Sequence, residues 1–402
     1  MNRIRPENNA DLFFQINWSS KGANHTDAYS GLAVNFWRDI LPSRLHEDLL
    51  GARTGDTIEL TMPAAELFDA CDQPKPLVIG RNQFDTGRVS DAALQPRTGR
   101  FYPKGILKDI AGIFSVNMEP FRCVQVVNGH LGVELGHPLA GKKVTLKATV
   151  GSVRSKIMER GGSLRHWGEE ITRGVGMQAR WNGVPTDFFS DGPFRRKDET
   201  LDTQFYRKPR LVQHIDDAAI GIIKQIYGRF VESGMRVLDL MSSWQSHLPE
   251  GLRLKEVIGL GLNVEELNRN PVLNDHVVHD VNSHPELPFE TAHFDVAVCT
   301  VSVEYLTRPM DVFAEVARVL KPQGWFVVTF SNRWFDPKSI TIWPQLHEFE
   351  RMGLVLEYFH GTSDFSDLHT YSVRGLERPS DDKYAGRIPY ADPVYAVWGR
   401  RK

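Results

Sequence analysis

The sequence predicts a multidomain protein whose second half is an α/β domain built on a parallel sheet. Three short apolar runs follow one another there: RVLDLMSSWQSHLP, LPFETAHFDVAVC and VARVLKPQGWFVVTFSN. Each ends in polar or small residues, and helical stretches separate them, as expected for successive buried strands. Ligands of such sheets bind beyond the carboxyl ends of the strands. The positions after which we expect chemistry are Leu238, Val257, Val277 and Val298.

Length and composition indicate an ordinary soluble globular protein. At roughly 150 residues per domain, 402 residues suggest two or three domains. A net charge of −2 gives no electrostatic footprint for nucleic acid. The three cysteines, Cys71, Cys123 and Cys299, fit no metal or disulfide spacing, which favours a reducing compartment. Because the chain shows neither a signal-peptide core nor an apolar run of about 18 residues, we expect a cytoplasmic protein without a membrane segment.

The pattern along the chain changes twice. Residues 1–153 hold short runs rich in strand-forming residues and one helix near residues 41–50, which predicts a small antiparallel α+β domain. Residues 154–204 are rich in Arg, Lys, Gly and Asp with weak periodicity, and are predicted to be a linker. From residue 205 to 402, helices and strands alternate. The predicted elements there include helices over 215–230 and 311–320 and a turn at Lys321–Gly324 that leads into a strand.

The ordered motifs of the second half resemble those of class I S-adenosylmethionine-dependent methyltransferases. They are V-L-D-L, V-I-G-L-G-L-N-V-E-E-L, H-D-V-N, L-P-F-x-x-x-x-F-D and R-V-L-K-P-Q-G-W. The L-P-F motif is similar to that of the type 11-like enzymes that act on small molecules. The resemblance covers about residues 205–345, and residues up to 402 more loosely. It implies a Rossmann-like sheet, S-adenosyl-L-methionine as the cofactor, and a small-molecule, peptide or protein substrate.

The resemblance also implies roles for single residues. Asp239 matches the acidic residue of the first motif. Asp280 matches the residue that faces the adenine amino group, and Val281 would pack on the adenine ring. Glu304 and Tyr305, which follow the fourth strand, would face the methyl acceptor. A carboxylate there would orient or deprotonate the acceptor, although a solvent-facing role at a helix start is an open alternative.

The sequence departs from the methyltransferase pattern at two places. The first loop has no glycine, so that other residues would have to accept the methionine part of the cofactor. Those residues are Met241, Ser242, Ser243 and Trp244. Gly261 stands where an acidic residue usually holds the ribose hydroxyls, so that Asn263 or Glu265 would have to substitute for it.

Simpler roles compete with these assignments. Asp239 and Asp280 would serve equally as capping or turn residues, and Trp244 would serve as a packing residue. The adjacent pair Ser246 and His247 suggests a hydrolase nucleophile and base. Neighbouring residues rarely face each other, however, and the sequence has no G-x-S-x-G elbow. Hydrolysis is therefore disfavoured.

Two segments of the first half resemble FKBP-type prolyl isomerases of the SlyD-like subfamily. They are LHEDLLGARTGDTIELTMPAAEL at residues 45–67 and LGVELGHPLAGKKVTLKATVGSV at residues 131–153. The resemblance implies an FKBP-like half-barrel over residues 1–153, with a flap insert at about 69–133. The candidate isomerase pocket residues are Trp18, Phe36, Ile40, Leu41 and Phe68. The open alternative is that these side chains only fill a small core.

Two functions therefore remain in competition. The first is a methyltransferase fused to an isomerase or chaperone-like domain. The second is a prolyl isomerase or folding factor whose methyltransferase fold is degenerate. A nucleic-acid modifier that uses basic residues near Arg195 and Arg210 is disfavoured, because acidic residues interleave with the basic ones.

Overall fold

The computed structural model describes residues 3–68, 74–88, 94–155 and 162–402. The chain divides into two compact units. The first comprises Met1–Lys21, His25–Ser190 and Leu346–Leu354, and the second comprises Gly22–Asn24, Asp191–Gln345 and Val355–Lys402.

The described residues of the first unit form both helices and strands. They are β1 (Asn8–Ser20), β2 (Ala23–Asn35), α1 (Ser43–Leu49), β3 (Thr57–Pro63), β4 (Pro76–Gly80), β5 (Phe101–Pro103), β6 (Pro120–Val127), β7 (His130–Glu134), β8 (Lys143–Ser155) and α2 (Trp167–Thr172). Four of these strands lie side by side in the order β2-β1-β8-β3. Along β1 every second side chain is buried, including Leu12, Phe14 and Ile16. That alternation is what a strand with one face on the core requires.

A second, four-stranded sheet lies in the chain between β3 and β8. Its order is β4-β7-β6-β5, and neighbouring strands are antiparallel. It has a core of its own, in which Phe84, Tyr102 and Phe121 are among the buried members. The predicted insert at 69–133 falls on this segment, but residues 69–73, with Cys71, and 89–93 lie outside the described part of the chain.

The predicted linker does not appear as a separate segment. Residues 154–190 are grouped with the first unit and residues 191–204 with the second. The physical reason is Trp167, which begins α2 and is only 1% exposed. Its ring stacks on Phe14 at a centroid distance of 5.9 Å, and its indole N–H donates to Asp39 at 2.9 Å.

A segment distant in sequence completes the first unit. Glu350, at 2% side-chain exposure, forms a buried ion pair with Arg100, whose Nε lies 3.2 Å from Oε1. The same carboxylate oxygen accepts the backbone N–H of Phe101 at 2.9 Å, and Oε2 accepts that of His347 at 3.2 Å. Residues 346–354 are thus tied to the strand β5.

The remaining elements belong to an alternating α/β pattern. They are α3 (Asp202–Phe205), α4 (Asp217–Tyr227), β9 (Arg236–Leu240), β10 (Glu256–Gly261), α5 (Val264–Arg269), β11 (Asp275–Val278), β12 (Phe294–Thr300), α6 (Pro309–Val319), β13 (Leu320–Phe330), α7 (Glu348–Thr362), β14 (Phe365–Arg374) and β15 (Val394–Arg401). None of the described helices is long and apolar enough to cross a bilayer.

The strands of the second unit have the order β11-β10-β9-β12-β13-β15-β14. The pairs from β11 to β13 are parallel, and β15 is antiparallel to both of its neighbours. The chain proceeds from β9 outward to β11 and then returns to place β12 on the other side of β9. The strand order therefore reverses between β9 and β12, and a ligand crevice is expected at that point.

Local signals explain the helices that flank this sheet. Asp216 caps α4 by accepting the backbone N–H of Ala219 at 2.9 Å, and one face of the helix buries Ile220, Ile223 and Ile226. Pro309 begins α6, where its fixed backbone angle suits a first turn.

The predicted turn at Lys321–Gly324 lies inside β13 instead. The strand begins at Leu320, and its register against β12 shifts between Phe294 and Val296, where Gln323 adopts a φ of +69°. The turn residues thus form a bulge.

Replacing Glu350 by Ala should destabilise the first unit strongly. The buried Arg100 guanidinium would lose its carboxylate, a change that typically costs about 3–5 kcal/mol of the free energy of unfolding. Chemical denaturation measures this loss. The control is Glu47→Ala on the exposed face of α1, for which we expect a change below about 0.5 kcal/mol. Equal effects for the two variants would contradict the assigned role of Glu350.

Candidate active site

A cavity of about 380 Å³ opens at the carboxyl ends of β9, β10, β11 and β12. Its walls come from the residues that follow these strands, together with residues 202–215, 333–335 and 383–384. The volume lies within the roughly 300–1,000 Å³ typical of small-molecule sites. The cavity thus occupies the place where the reversal of strand order predicts a ligand.

Asp239 contributes a buried carboxylate to this cavity. It is 4% exposed, and its Oδ2 accepts hydrogen bonds from the hydroxyls of Ser242 and Ser246, each at 2.5 Å. Burial raises the pKa of Asp239 to about 6, although both hydroxyls oppose the rise. The side chain therefore presents a poorly solvated negative charge near neutral pH.

The loop after β9 passes very close to the end of β10. The N–H of Ser242 donates to the carbonyl oxygen of Leu260 at 2.7 Å. A Cβ atom added to Gly261 would lie only 2.2 Å from the carbonyl oxygen of Ser242. Gly261 is therefore required by this approach, and an acidic residue at that position would collide with the loop. Met241 makes the bend with a φ of +57°, a conformation that glycine adopts more easily.

Asn263 has a structural task that uses its whole amide. Its Oδ1 accepts the backbone N–H groups of Glu265 and Glu266, and so caps α5. Its Nδ2 donates to the carbonyl oxygens of Tyr206 and Arg207 at 2.9 and 3.1 Å. A role of Asn263 in holding the ribose stays a prediction.

The carboxylate that lines the cavity beside β10 belongs to Glu266. Its Oε2 accepts the hydroxyl of Ser243 at 2.6 Å, and its Oε1 accepts the backbone N–H of Arg210 at 2.7 Å. Glu265, the residue that the sequence suggested, is exposed and pairs with Arg269. The signal for Glu266 was the capping residue Asn263, which places the third residue of the following turn beside the cap.

Asp280 and Val281 both lie on the cavity wall after β11. Asp280 accepts the backbone N–H groups of Asn282 and Ser283 and the Ser283 hydroxyl, which is the bonding of an Asx turn. Val281 is 4% exposed. The turn role of Asp280 and its position on the cavity therefore coexist, and contact with adenine stays a prediction for both residues.

The end of β12 carries a strained backbone. Val301 lines the cavity with a φ of +46°, which is rare for a β-branched residue, and its N–H donates to the carbonyl oxygen of Thr329 at 2.7 Å. Such strain costs on the order of 1–3 kcal/mol and is found most often at functional sites. The cavity wall at β12 is thus held in a conformation that the local sequence does not favour.

The two predicted acceptor residues lie in different surroundings. Tyr305 lines the cavity, and its hydroxyl oxygen accepts the backbone N–H of Phe335 at 2.8 Å. Burial raises the pKa of Tyr305 well above its ordinary value, so the phenol stays protonated. Glu304 has no exposed surface and is not part of the cavity lining.

The remaining residues of the first loop have separate positions. Trp244 lines the cavity and is partly exposed, and its indole N–H points to the carbonyl oxygen of Val212 at 3.4 Å. Ser246 donates to Asp239 rather than to its neighbour His247. Burial lowers the pKa of His247 to about 4. These contacts give no support to a hydrolase pair.

In the first unit, Trp18 is a buried residue with fixed partners. Its indole N–H donates to Asp27 at 2.9 Å, and its ring stacks on His25 at 3.9 Å. Gln178 also donates to the Asp27 carboxylate, at 3.2–3.3 Å. The indole of Trp18 is therefore part of a buried hydrogen-bonded cluster with Asp27 and Gln178.

The other candidate isomerase residues are mostly core residues as well. Phe36, Leu41 and Phe68 are each at most 6% exposed, and the ring of Phe68 stacks on His137 at 4.2 Å. Ile40 differs, since it is 42% exposed. A shared isomerase pocket for these residues stays a prediction.

The strand order and the strand-end cavity define the second unit as a doubly wound α/β domain with a ligand site at the reversal of strand order. A sequence profile of the family described as a methyltransferase domain matches residues 246–328. This segment begins in the loop after β9 and ends inside β13. The methyltransferase class predicted from the ordered motifs is thereby confirmed, and the cofactor of this class is S-adenosylmethionine.

Weak likenesses to solved structures extend over about half of the chain. A Haloferax volcanii protein described as a methyltransferase, in complex with the Trm112 methyltransferase activator, is 17% identical, with a TM-score of 0.34, 46% of this chain covered and 91% of that one. YcgJ from Bacillus subtilis is 14% identical, with a TM-score of 0.30, and the match covers 46% of this chain and 98% of that one. An S-adenosylmethionine-dependent methyltransferase from Mesorhizobium loti is 17% identical, with a TM-score of 0.30, and the match covers 46% of this chain and 99% of that one. No curated protein sequence matches the chain. Likenesses this weak say nothing of what the chain acts on.

Replacing Gly261 by Ala should destabilise the second unit by about 1–3 kcal/mol, because the new methyl group would overlap the carbonyl oxygen of Ser242. The matched control is Gly221→Ala on α4, where the added Cβ meets no atom within 4 Å. That change should stabilise the helix by about 0.5–1 kcal/mol. Thermal or chemical unfolding of both variants measures the difference. A tolerated Gly261→Ala change would contradict the close approach.

Asp239→Asn should change the pH dependence of stability. In the wild type the folded-state pKa of about 6 lies above the ordinary 3.8, so stability falls as pH rises between these values and is constant above them. The uncharged variant lacks this loss, which amounts to about 3 kcal/mol. The free energy of unfolding of the variant relative to wild type should therefore increase from pH 4 to pH 7. Parallel pH profiles for the two proteins would exclude a raised pKa at Asp239.

Proposed function

We propose that the protein transfers a methyl group from S-adenosylmethionine to a small-molecule acceptor held in the strand-end cavity. The observation that carries the proposal is the position of this cavity at the strand-order reversal, with walls from the ends of four parallel strands. The cofactor supplies a methyl group on a positively charged sulfur, which a nucleophile can displace. The domain architecture and the cavity volume support this reaction class.

The cavity residues fit the parts of the cofactor, with one departure from the usual arrangement. Asp239 and the loop at residues 241–244 would hold the methionine part, whose ammonium group suits a buried carboxylate. Asp280 and Val281 would hold the adenine. Because Gly261 has no side chain, we assign the ribose hydroxyls to Glu266, whose half-buried carboxylate lines the cavity beside the same strand.

The contribution of the protein to methyl transfer is positioning. In-line displacement needs the acceptor nucleophile aligned with the methyl group, and such alignment lowers the barrier without a catalytic base. Tyr305 suits this task, because its phenol stays protonated and its oxygen is already fixed by the N–H of Phe335. We therefore assign to Tyr305 the orientation of the acceptor rather than its deprotonation.

Isothermal titration of the full chain with S-adenosylhomocysteine tests the cofactor assignment. Glu266→Gln should weaken binding by about tenfold, because a carboxylate accepts hydrogen bonds from hydroxyls more strongly than an amide does. Glu265→Gln, one residue earlier on the exposed face, is the matched control and should change the affinity less than twofold. A folded wild-type protein that binds no S-adenosylhomocysteine would refute the proposal.

We also propose prolyl isomerase or folding-factor activity for the first unit, beside methyl transfer in the second; in the alternative function, this activity stands alone and the methyltransferase fold is degenerate. The proposal rests on the SlyD-like resemblance, which implies an insert in the region where a separate small sheet lies between β3 and its neighbour β8. Proline-limited refolding of a test protein, catalysed by the full chain, measures it. Ile40→Ala should reduce the acceleration, whereas Leu50→Ala, at similar exposure, should not. No acceleration at high excess of the chain would refute this activity.

A further inference from the structure

A cluster of aromatic rings fixes the guanidinium group of Arg210 beside the cavity. Its Cζ atom lies 4.5 Å from the ring centre of Phe205, 4.6 Å from that of Phe335 and 5.3 Å from that of Tyr206. Contacts of this kind hold a cation electrostatically and restrict its movement. The backbone N–H of Arg210 is also fixed, by Glu266. The charged group is therefore held in one place before a ligand arrives.

Two hydrogen-bond donors in this cluster have no partner within the described residues. They are Nη1 of Arg210 and the hydroxyl of Tyr206, and both atoms are buried. Both residues line the cavity. A buried donor without an acceptor costs about 1–3 kcal/mol, and more when it is charged. Such a cost is expected where a ligand supplies the missing acceptors.

Arg333, another arginine on the cavity wall, is bonded differently. Its Nε and Nη2 both donate to Oδ1 of Asp392, at 3.1 and 3.0 Å. The ion pairs found in the described chain include none for the side chain of Arg210. Arg210 is thus the arginine of this wall that is prepared to receive an anion from outside.

The surroundings indicate which kind of anion fits. Asp239, Glu266 and Asp280 also line the cavity and would repel a doubly charged phosphate. A carboxylate carries one charge, and its two oxygens match a guanidinium N–H and a nearby hydroxyl. Phe335 and Tyr305 stack at 6.0 Å with an angle of 27°, which offers a flat apolar surface next to the donors. An aromatic carboxylate satisfies all of these conditions.

Resting on the proposed methyl transfer, we propose that Arg210 and Tyr206 bind the carboxylate of an aromatic methyl acceptor. The location favours the acceptor over the carboxylate of the cofactor. Phe335 and Tyr305 follow β13 and β12, whereas the loop assigned to the methionine part follows β9. Binding of the carboxylate selects the acceptor, and the stacked rings position its aromatic ring.

Titration of the full chain with benzoate and with benzamide, its uncharged match, tests this subsite. Both are measured with and without saturating S-adenosylhomocysteine. Benzoate should bind at least about tenfold more tightly than benzamide, and Arg210→Met should abolish the preference. Tyr206→Phe, which removes only the hydroxyl, should reduce benzoate affinity about threefold or more. Arg207→Met, at the exposed neighbouring arginine, is the control and should leave both affinities unchanged.

Several outcomes would overturn the proposal. Equal affinities for benzoate and benzamide would do so, as would a preference that survives in Arg210→Met. A second arm compares S-adenosylhomocysteine with methylthioadenosine, which lacks the carboxylate. If Arg210→Met weakens only the former, Arg210 binds the cofactor and not the acceptor; if it weakens neither, the acceptor assignment is supported. A benzoate preference without any binding of S-adenosylhomocysteine would refute the methyltransferase proposal and leave the carboxylate site standing.

Discussion

The close approach of the Ser242 carbonyl oxygen to Gly261 is the constraint on which the cavity depends. It brings the loop after β9 against the end of β10, where the N–H of Ser242 reaches the strand. The bend at Met241 then turns the following serines back, so that Ser242 and Ser246 both reach the Asp239 carboxylate. The absence of a side chain at residue 261 also leaves Glu266 as the carboxylate beside that strand. One short distance thus determines the form of one end of the site.

Charge is distributed unevenly along the cavity. Three carboxylates, those of Asp239, Glu266 and Asp280, lie at the ends of β9 to β11 or just beyond them. The guanidinium of Arg210 lies among aromatic rings, of which Phe335 follows β13. A positively charged cofactor and a negatively charged acceptor would therefore each find a complementary surface. Complementary charges of this kind favour one placement of the two ligands in the cavity over the placement in which they are exchanged.

Of the residues that the sequence suggested, several that come directly after strands line the cavity. Asp239 and Asp280 come just after buried apolar runs, and parallel strands bring such residues to one edge. Glu266 and Arg210 were not predicted to line the cavity, because their positions depend on a contact between segments 56 residues apart. Trp167 lies in a segment whose polar composition predicted a linker. The burial of this side chain explains why the segment is grouped with the first unit. The strain at Val301 likewise arises from the strand pairing around it and leaves no mark in local composition.

The absence of glycine from the first loop and its presence at the end of β10 have an evolutionary consequence. The methyltransferase pattern has glycines in the loop and an acid on the strand, whereas this chain has no glycine at residues 241–247 and has Gly261 on the strand. A mutation that placed an acid at residue 261 would meet the carbonyl oxygen of Ser242 at once. A glycine at residue 241 alone would relax the bend while the strand still lacked its acid. The cost of an acid at residue 261 therefore depends on the path of the loop at Ser242, so that this position and the loop are epistatic.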